Sequence, residues 1–365
     1  VGEVQAALPL IEKIRSTFPN QNVVVTTTTP TGSERVKKHF GNQVWHSYLP
    51  YDLQDLISGF INHINPKVAL VMETELWPCL FQTLGRRKIP LSLVNARLSP
   101  SSYRGYSRIR PFIRAALSNC SLILTQSDAD AKRYQKLGVK ASKVQVCGNL
   151  KFDVQIPELS QDQGQQLRLR LGQHRPVWIA ASTHPGEEQE ILAAHRTILA
   201  THPQALLILV PRHPERFQQV FELCMDQGFQ TVRRSLTSKE QTSAQVYLGD
   251  SMGELPLFFA ASDIAFVGGS LVPVGGHNLL EPAAMGLPVL SGEHLFNFKE
   301  IARLLEDSQA MQRIQERKSL SAKVSSLIDD EKVRKSMGQK GIAAVEDNKG
   351  ATERTLSLVS KLWTE

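Results

Sequence analysis

Glu3 lies between Gly2 and a stretch of helical periodicity, Val4–Phe18, with Leu8, Ile11, Ile14 and Phe18 on one stripe. A carboxylate in the first turn of a helix is held ionised by the helix dipole and the free N–H groups, which suits a base acting on a hydroxyl. A plain first-turn glutamate is the alternative. Met72-Glu73-Thr74-Glu75-Leu76-Trp77-Pro78 follows the apolar run Val68–Met72 and opens another helical stretch. Thr74 and Glu75 are read as capping groups, which leaves Glu73 turned toward a ligand, unless all three serve the cap. Gly148-Asn149-Leu150-Lys151-Phe152-Asp153 puts Lys151 after a further run, either within reach of an anion or exposed in a turn. In Pro211-Arg212-His213 a guanidinium stands beside a helix start, where cation and N–H groups converge on an anion. His213 has no His or Cys partner at metal-ligand spacing, so no metal site is expected there.

The densest signal is Gly268-Gly269-Ser270 followed by Gly275-Gly276-His277-Asn278-Leu279-Leu280-Glu281-Pro282. The glycines are read as letting backbone approach a phosphate, and the helix N-terminus near Asn278 as supplying N–H donors. Glu281, about one turn into that helix, would accept hydrogen bonds from a ribose diol. A structural glycine turn is the alternative. The spacing is neither that of a P-loop nor that of a dinucleotide fingerprint. H-E-x-x-H is absent, and Ser182 and Ser270 lie in no G-x-S-x-G elbow, which weakens metalloprotease and hydrolase readings.

The elements that must position these residues follow from an alternation of β-branched runs and helical stretches. Strands are expected at Val23–Thr27, Val68–Met72, Leu91–Val94, Leu122–Thr125 and Val144–Cys147, then at Val177–Ala181, Leu206–Val210, Gln245–Leu248, Ile264–Val267 and Val289–Leu290. Helices are expected at Asp52–Ile64, Leu76–Arg87, Asp128–Leu137, Glu187–Ala200 and Glu215–Gly228. This rhythm predicts an α/β protein with two doubly wound parallel sheets and a cleft at the carboxyl ends of their strands. The polar, Gln-rich segment 152–175 reads as a linker with a short helix, and the tail from Asp330 as helical. A doubly wound sheet begins with a strand, so a strand is expected ahead of Val1.

With 365 residues, 41% hydrophobic and 21% charged, the chain has the material for two cores. Four scattered cysteines form no C-x-x-C pair, which argues against a disulfide scaffold and a zinc ribbon. The longest apolar runs suffice only for buried strands. The net charge of +7 is uneven: residues 1–150 carry 19 Lys and Arg against 9 Asp and Glu. From Leu76 to Ser127 there is no acidic residue and there are eight basic ones, among them Arg97, Arg104, Arg108, Arg110 and Arg114. Tyr103, Tyr106, Ile109, Phe112 and Ile113 interleave with them. A basic and aromatic helix suits an anionic membrane or a phosphorylated substrate, with an ordinary solvated face as the alternative.

Taken together, VGEVQAALPL, TTTTPTGSERV, YLPYDL, METELWP, NARLS, GNLKFD, PRHPERF, GGSLVPVGGHNLLEPAAMGLPV and ATERTL resemble the bacterial 3-deoxy-D-manno-octulosonic acid (Kdo) transferases over essentially the whole chain. The resemblance implies the GT-B fold, with two Rossmann-like domains: an acceptor domain at 1–152, a donor domain at 153–345 and a C-terminal helix at 346–365 that packs back on the first. It implies inverting transfer of Kdo from CMP-Kdo to a lipid A precursor (lipid IVA) in lipopolysaccharide biosynthesis, at the cytoplasmic face of the inner membrane. Glu3 would be the general base, and Glu73 and Lys151 would support the transition state. Pro211, Arg212, Met252, Gly253, Glu254 and Asn278 to Glu281 (with Leu279 and Leu280 between) would contact CMP. No metal or other cofactor is expected, and no nucleic-acid partner. The family carries a membrane-anchoring stretch and a first strand ahead of V-G-E, so both are expected before Val1. Other GT-B nucleotide-sugar transferases and sugar 2-epimerases are the runner-up, and a basic nucleic-acid binder is a remote third.

Overall fold

The computed structural model describes residues 2–154, 158–236, 243–315 and 319–363. It divides into two compact units, Val1–Asp153 with Asn348–Glu365, and Val154–Asp347.

The first unit runs α1 (Gly2–Thr17), β1 (Val24–Thr27), α2 (Pro30–Phe40), β2 (Trp45–Tyr48), α3 (Gln54–Ile64), β3 (Ala69–Met72), α4 (Pro78–Arg86), β4 (Leu91–Ala96), α5 (Pro100–Arg108), α6 (Arg110–Ser118), β5 (Leu122–Thr125), α7 (Asp128–Lys136) and β6 (Val144–Val146). Strands β3-β4-β5-β6 form one parallel sheet and β1-β2 a separate parallel pair. β4 is buried along its whole length, because both faces are covered. Leu91, Leu93 and Ala96 pack with Phe81, Leu84, Ile113 and Leu117 on one side. Val94 and Leu124 pack with Leu10 and Ile14 of α1 on the other. β2 is a strand the sequence reading missed: Trp-His-Ser-Tyr is half polar and forms no apolar run.

The second unit runs α8 (Glu158–Leu171), β7 (Val177–Thr183), α9 (Glu188–Thr201), β8 (Leu206–Pro211), α10 (Phe217–Asp226), β9 (Thr231–Arg233), β10 (Val246–Leu248), α11 (Leu255–Ala260), β11 (Ile264–Val267), α12 (Leu280–Ala284), β12 (Val289–Ser291), α13 (Lys299–Asp307), β13 (Met311–Arg313), α14 (Ser319–Asp329) and α15 (Glu331–Glu346). Its seven strands are parallel in the order β13-β12-β11-β7-β8-β10-β9. Alternation along β7 feeds two cores: Trp178 and Ala180 join Leu207 and Leu209 on one face, and Val177, Ile179 and Ala181 join Ile208 and Val210 on the other. The strand order reverses between β7 and β11, the switch point where open α/β sheets take their ligands. Segment 152–175, expected as a linker with a short helix, holds the 14-residue α8; residues 155–157 lie outside the described set.

The last helix, α16 (Ala351–Val359), returns to the first unit. Asp153 accepts from the backbone N–H groups of Gly350 and Thr352, each at 2.6 Å. Arg354 donates to the carbonyl of Cys147 at 2.8 Å. No described helix is long and apolar enough to cross a membrane.

Candidate active site

In the first unit strained backbone lies directly after β3 and within the last residues of β4, where the strand register shifts. Glu73 (φ 53°) and Asn95 (φ 52°) both adopt the left-handed conformation, which costs a non-glycine residue on the order of 1–3 kcal/mol and clusters at functional positions. The turn at Glu73 is pinned by its own N–H, which donates to the carbonyl of Val94 at 2.9 Å. Asn95 is buried, and its Oδ1 accepts from the N–H of Leu150 at 3.0 Å. That bond places the short helical turn Leu150–Phe152, which carries Lys151, beside the ends of β3 and β4. Lys151 Nζ then sits 3.3 Å from Glu73 Oε1, with the two side chains only 25% and 12% exposed. The pair is close enough for ion pairing without hydrogen-bond alignment at Oε1.

Glu3, in the first turn of α1, belongs to the same group electrostatically. The expectation that the helix start holds it ionised is corrected: burial pushes its carboxyl above the usual range, and the negative charges of Glu73 and Glu75 push it further, while Lys151 pulls it back. A carboxylate whose affinity for a proton is raised in this way is a stronger base. The sequence thus placed Glu3, Glu73 and Lys151 individually, and the fold brings them together.

The expected cap is corrected. α4 begins at Pro78, and its side-chain cap comes from Asp52: Oδ2 accepts from Cys79 N at 3.0 Å and Oδ1 from Leu80 N at 2.9 Å. Proline at the first helical position moves the helix start past Thr74 and Glu75. Glu75 instead accepts from the Trp77 indole at 2.8 Å. Asp52 was not singled out as a site residue; its signal lay in Y-L-P-Y-D-L, an acid just ahead of a helix.

The basic row is also revised. It lies on two helices, α5 and α6, with Ile109 between them. Arg104, Arg108, Arg110 and Arg114 are exposed, as are Ile109 (51%) and Phe112 (56%). Tyr103, Tyr106 and Ile113 pack inward on the core. Arg97 departs from the row: it follows β4, is half-buried, and its Nε is enclosed. Tyr51, Leu53 and Leu56, at and before the start of α3, are exposed apolar residues that the sequence reading passed over.

In the second unit Gly268, Gly269 and Ser270 lie at the switch point and Arg212 after the neighbouring β8, whereas Met252, Gly253 and Glu254 follow β10, farther along the sheet. β7 ends through Ser182, also left-handed (φ 57°), into Thr183-His184-Pro185-Gly186-Glu187. Glu187 is fully buried and accepts four backbone hydrogen bonds: Oε2 from His184 N (2.9 Å) and Gly269 N (2.7 Å), Oε1 from Ser270 N (3.0 Å) and Leu271 N (2.9 Å). Gly268 N donates to the carbonyl of Ala181 at 2.8 Å. The expected phosphate cradle at Gly268, Gly269 and Ser270 is therefore corrected, because all three N–H groups are committed within the protein. Gly268 serves close packing: a Cβ there would lie 2.8 Å from the Ser182 carbonyl oxygen.

A second correction concerns the helix N-terminus near Asn278. α12 is five residues long and Glu281 lies in its first turn, so the expected full turn is absent. Asn278 Oδ1 accepts from Leu280 N at 3.1 Å, and Asn278 Nδ2 donates to Glu281 at 2.9 Å. Glu254 is held by Arg234 through two hydrogen bonds (3.0 and 2.7 Å), which lower its carboxyl below the usual range. Met252 is exposed beside Gly253, whose φ of 88° needs glycine. Arg212 follows Pro211 at the end of β8, half-buried, and its N–H donates to the carbonyl of Thr183 at 3.0 Å. Its positive charge reaches His184 and His277. Among the described residues no group of three or more His, Cys, Asp or Glu is placed to hold a metal ion.

Comparison with known proteins places these features in a family. A family model described as 3-deoxy-D-manno-octulosonic-acid transferase matches residues 1–154, and one described as glycosyl transferases group 1 matches 175–344. The chain is 46% identical over 360 residues to a 3-deoxy-D-manno-octulosonic acid transferase of Haemophilus influenzae, covering 98% of this chain and 84% of the relative. It is 35% identical to that of Bordetella pertussis over 365 residues, with coverage of 98% and 84%. Among solved structures, the C-terminal CMP-Kdo binding domain of WaaA from Acinetobacter baumannii matches at TM-score 0.50 and 37% identity, covering 52% of this chain and 98% of that one. UDP-GlcNAc 2-epimerase from Neisseria meningitidis matches at TM-score 0.65 but 14% identity, with coverage of 99% and 97%, a likeness of fold alone. The fold is GT-B, with two Rossmann-like units, and the chain belongs to the 3-deoxy-D-manno-octulosonic acid (Kdo) transferase family of glycosyltransferases.

Proposed function

We propose that the chain transfers Kdo from CMP-Kdo to a lipid A precursor such as lipid IVA, with inversion at the anomeric carbon. The observation that carries this reading is the constellation of Glu3, Glu73 and Lys151 in a chain of this family. The acceptor hydroxyl attacks the anomeric carbon, Glu3 takes its proton, and the bond to the phosphate breaks with its electron pair leaving on CMP. Glu73 balances the positive charge that develops on the sugar, and Lys151, its Nζ 3.3 Å from Oε1, holds that carboxylate in place. The second unit takes the donor. Arg212 neutralises the phosphate, with Pro211, Met252, Gly253 and the Asn278–Glu281 segment around the nucleotide and Glu281 on the ribose. Glu254, tied to Arg234, fixes the loop that carries Met252 and Gly253. No metal ion is needed in this scheme. Arg104, Arg108, Arg110 and Arg114, with Ile109 and Phe112, hold the first unit on the anionic cytoplasmic face of the inner membrane, where the acceptor phosphates lie. The test is mass spectrometry of a tetra-acylated lipid A precursor incubated with protein and CMP-Kdo. The expected result is a product heavier by whole Kdo units; an unchanged acceptor refutes the proposal.

A further inference from the structure

A histidine pair in the second unit has no part in the scheme above. His184 follows β7 and His277 precedes α12, at the two sides of the switch point. Their Nε2 atoms are 2.8 Å apart, with ring centroids 5.0 Å apart and planes 7° from parallel, so the two rings meet edge to edge and nearly in one plane. Two ring nitrogens at that distance share one proton: one donates and the other accepts. The pair rests against Gly269, where a Cβ would fall 3.0 Å from His277 and 3.5 Å from His184. Glu187 fixes both sides by accepting from His184 N and Gly269 N. His213 stands edge-on to His184 with ring centroids 5.3 Å apart.

The neutral pair holds two protons on four nitrogens. One is in the Nε2–Nε2 bridge, and the other is on Nδ1 of the accepting ring. The remaining Nδ1 carries a lone pair. One more proton makes both Nδ1 atoms donors. Burial is the main obstacle to that proton on both rings and brings His277 down to about 4; the positive charges of Arg212 and Arg216 oppose it further on His184, where Glu188 favours it, and Arg212 opposes it on His277. An anion arriving beside Arg212 would offset that opposing charge and itself attract a proton onto the buried pair.

We propose that His184 and His277 form a proton-accepting anion site, taking up one proton as an oxyanion of the donor, either the nucleotide phosphate or the sugar-acid carboxylate, settles beside Arg212. This rests on the reading of the second unit as the donor unit. The newly protonated Nδ1 then donates to the bound anion, and the extra positive charge lies where the departing phosphate gains negative charge.

The test is calorimetric titration of the full chain with CMP at pH 7 in two buffers of different ionisation enthalpy, which counts protons taken up. Wild type is expected to take up as much as one proton more per CMP than His184→Gln or His277→Gln, and each variant to bind on the order of tenfold more weakly. The phosphate's own titration is common to all three proteins and cancels. Cytidine, which lacks the phosphate, shows no difference between them. Free Kdo separates the sources: excess uptake with Kdo assigns the carboxylate, and excess with CMP alone assigns the phosphate. Equal uptake by wild type and both variants with either anion overturns the proposal and leaves the donor reading standing. Failure of wild type to bind CMP overturns both. If neither variant folds, ¹⁵N spectra of the wild-type imidazoles decide: two protonated Nδ1 signals must appear on anion binding, and an unchanged mixture of one protonated and one bare Nδ1 refutes the idea.

Discussion

Replacing Glu187 by glutamine keeps the shape of the side chain and removes one of its two acceptor ends. In the native protein each carboxylate oxygen receives two backbone N–H groups, His184 and Gly269 on one, Ser270 and Leu271 on the other. The amide –NH₂ of glutamine would face two donors with a donor, so two hydrogen bonds to a charged group are lost. At about 1.5–3 kcal/mol each, the loss is about 3–6 kcal/mol. For a unit of this size each kcal/mol moves the melting midpoint by about 2–4 °C, so the transition of the second unit should fall by about 6–24 °C. Calorimetry of Glu187→Gln reads this directly, with Glu215→Gln as the exposed control, its side chain 74% accessible. CMP affinity should fall with it, since the same carboxylate holds the backbone under His184. A Glu187→Gln protein melting within about 2 °C of wild type would refute the claim that this carboxylate organises the switch-point turn.

The acid limb of the kcat/KM–pH profile should lie above the ordinary carboxylate value of 4.5, because burial and Glu73 raise Glu3. Glu73→Gln removes a negative neighbour and should move the limb down, whereas Lys151→Ala removes a positive one and should move it up; a limb fixed in both variants excludes Glu3 as its source. Arg212→Ala should weaken CMP binding by about 1.5–3 kcal/mol, while turnover survives excess EDTA; full loss restored by Mg²⁺ contradicts the metal-free scheme. Changing Arg104, Arg108 and Arg110 together to Ser should weaken binding to anionic vesicles by about 1 kcal/mol per residue at low salt and leave CMP affinity unchanged. A parallel fall in CMP affinity would place the row in the donor site.

The alternation of strands and helices was legible because strands such as β7, β8 and β11, covered on both faces, must be continuous apolar runs. The strands missed, β2, β9 and β13, are three or four residues long, mix polar with apolar side chains and lie at sheet edges. Among the candidate site residues, Glu3, Glu73, Lys151 and Arg212 were visible from their place after strands or at helix starts. What was not visible depends on contacts distant in sequence: Asp52 capping α4, Asp153 holding the start of α16, and Glu187 and the histidine pair closing on the glycine turn. The glycine turn was misread because a glycine that admits a ligand and one that admits neighbouring backbone look alike in sequence. Tyr103 and Tyr106 were misread as surface residues because a residue list does not show which face of α5 is buried; three residues apart, they share the inward stripe.

In the proposed reaction the Glu3 carboxylate takes the proton of the acceptor hydroxyl. The most direct test of this step is the rate of Kdo transfer by Glu3→Gln under saturating CMP-Kdo and acceptor, measured beside CMP affinity. A fall in kcat on the order of 10²–10⁴ is expected, with CMP bound as tightly as by wild type. Turnover near the wild-type rate would contradict it.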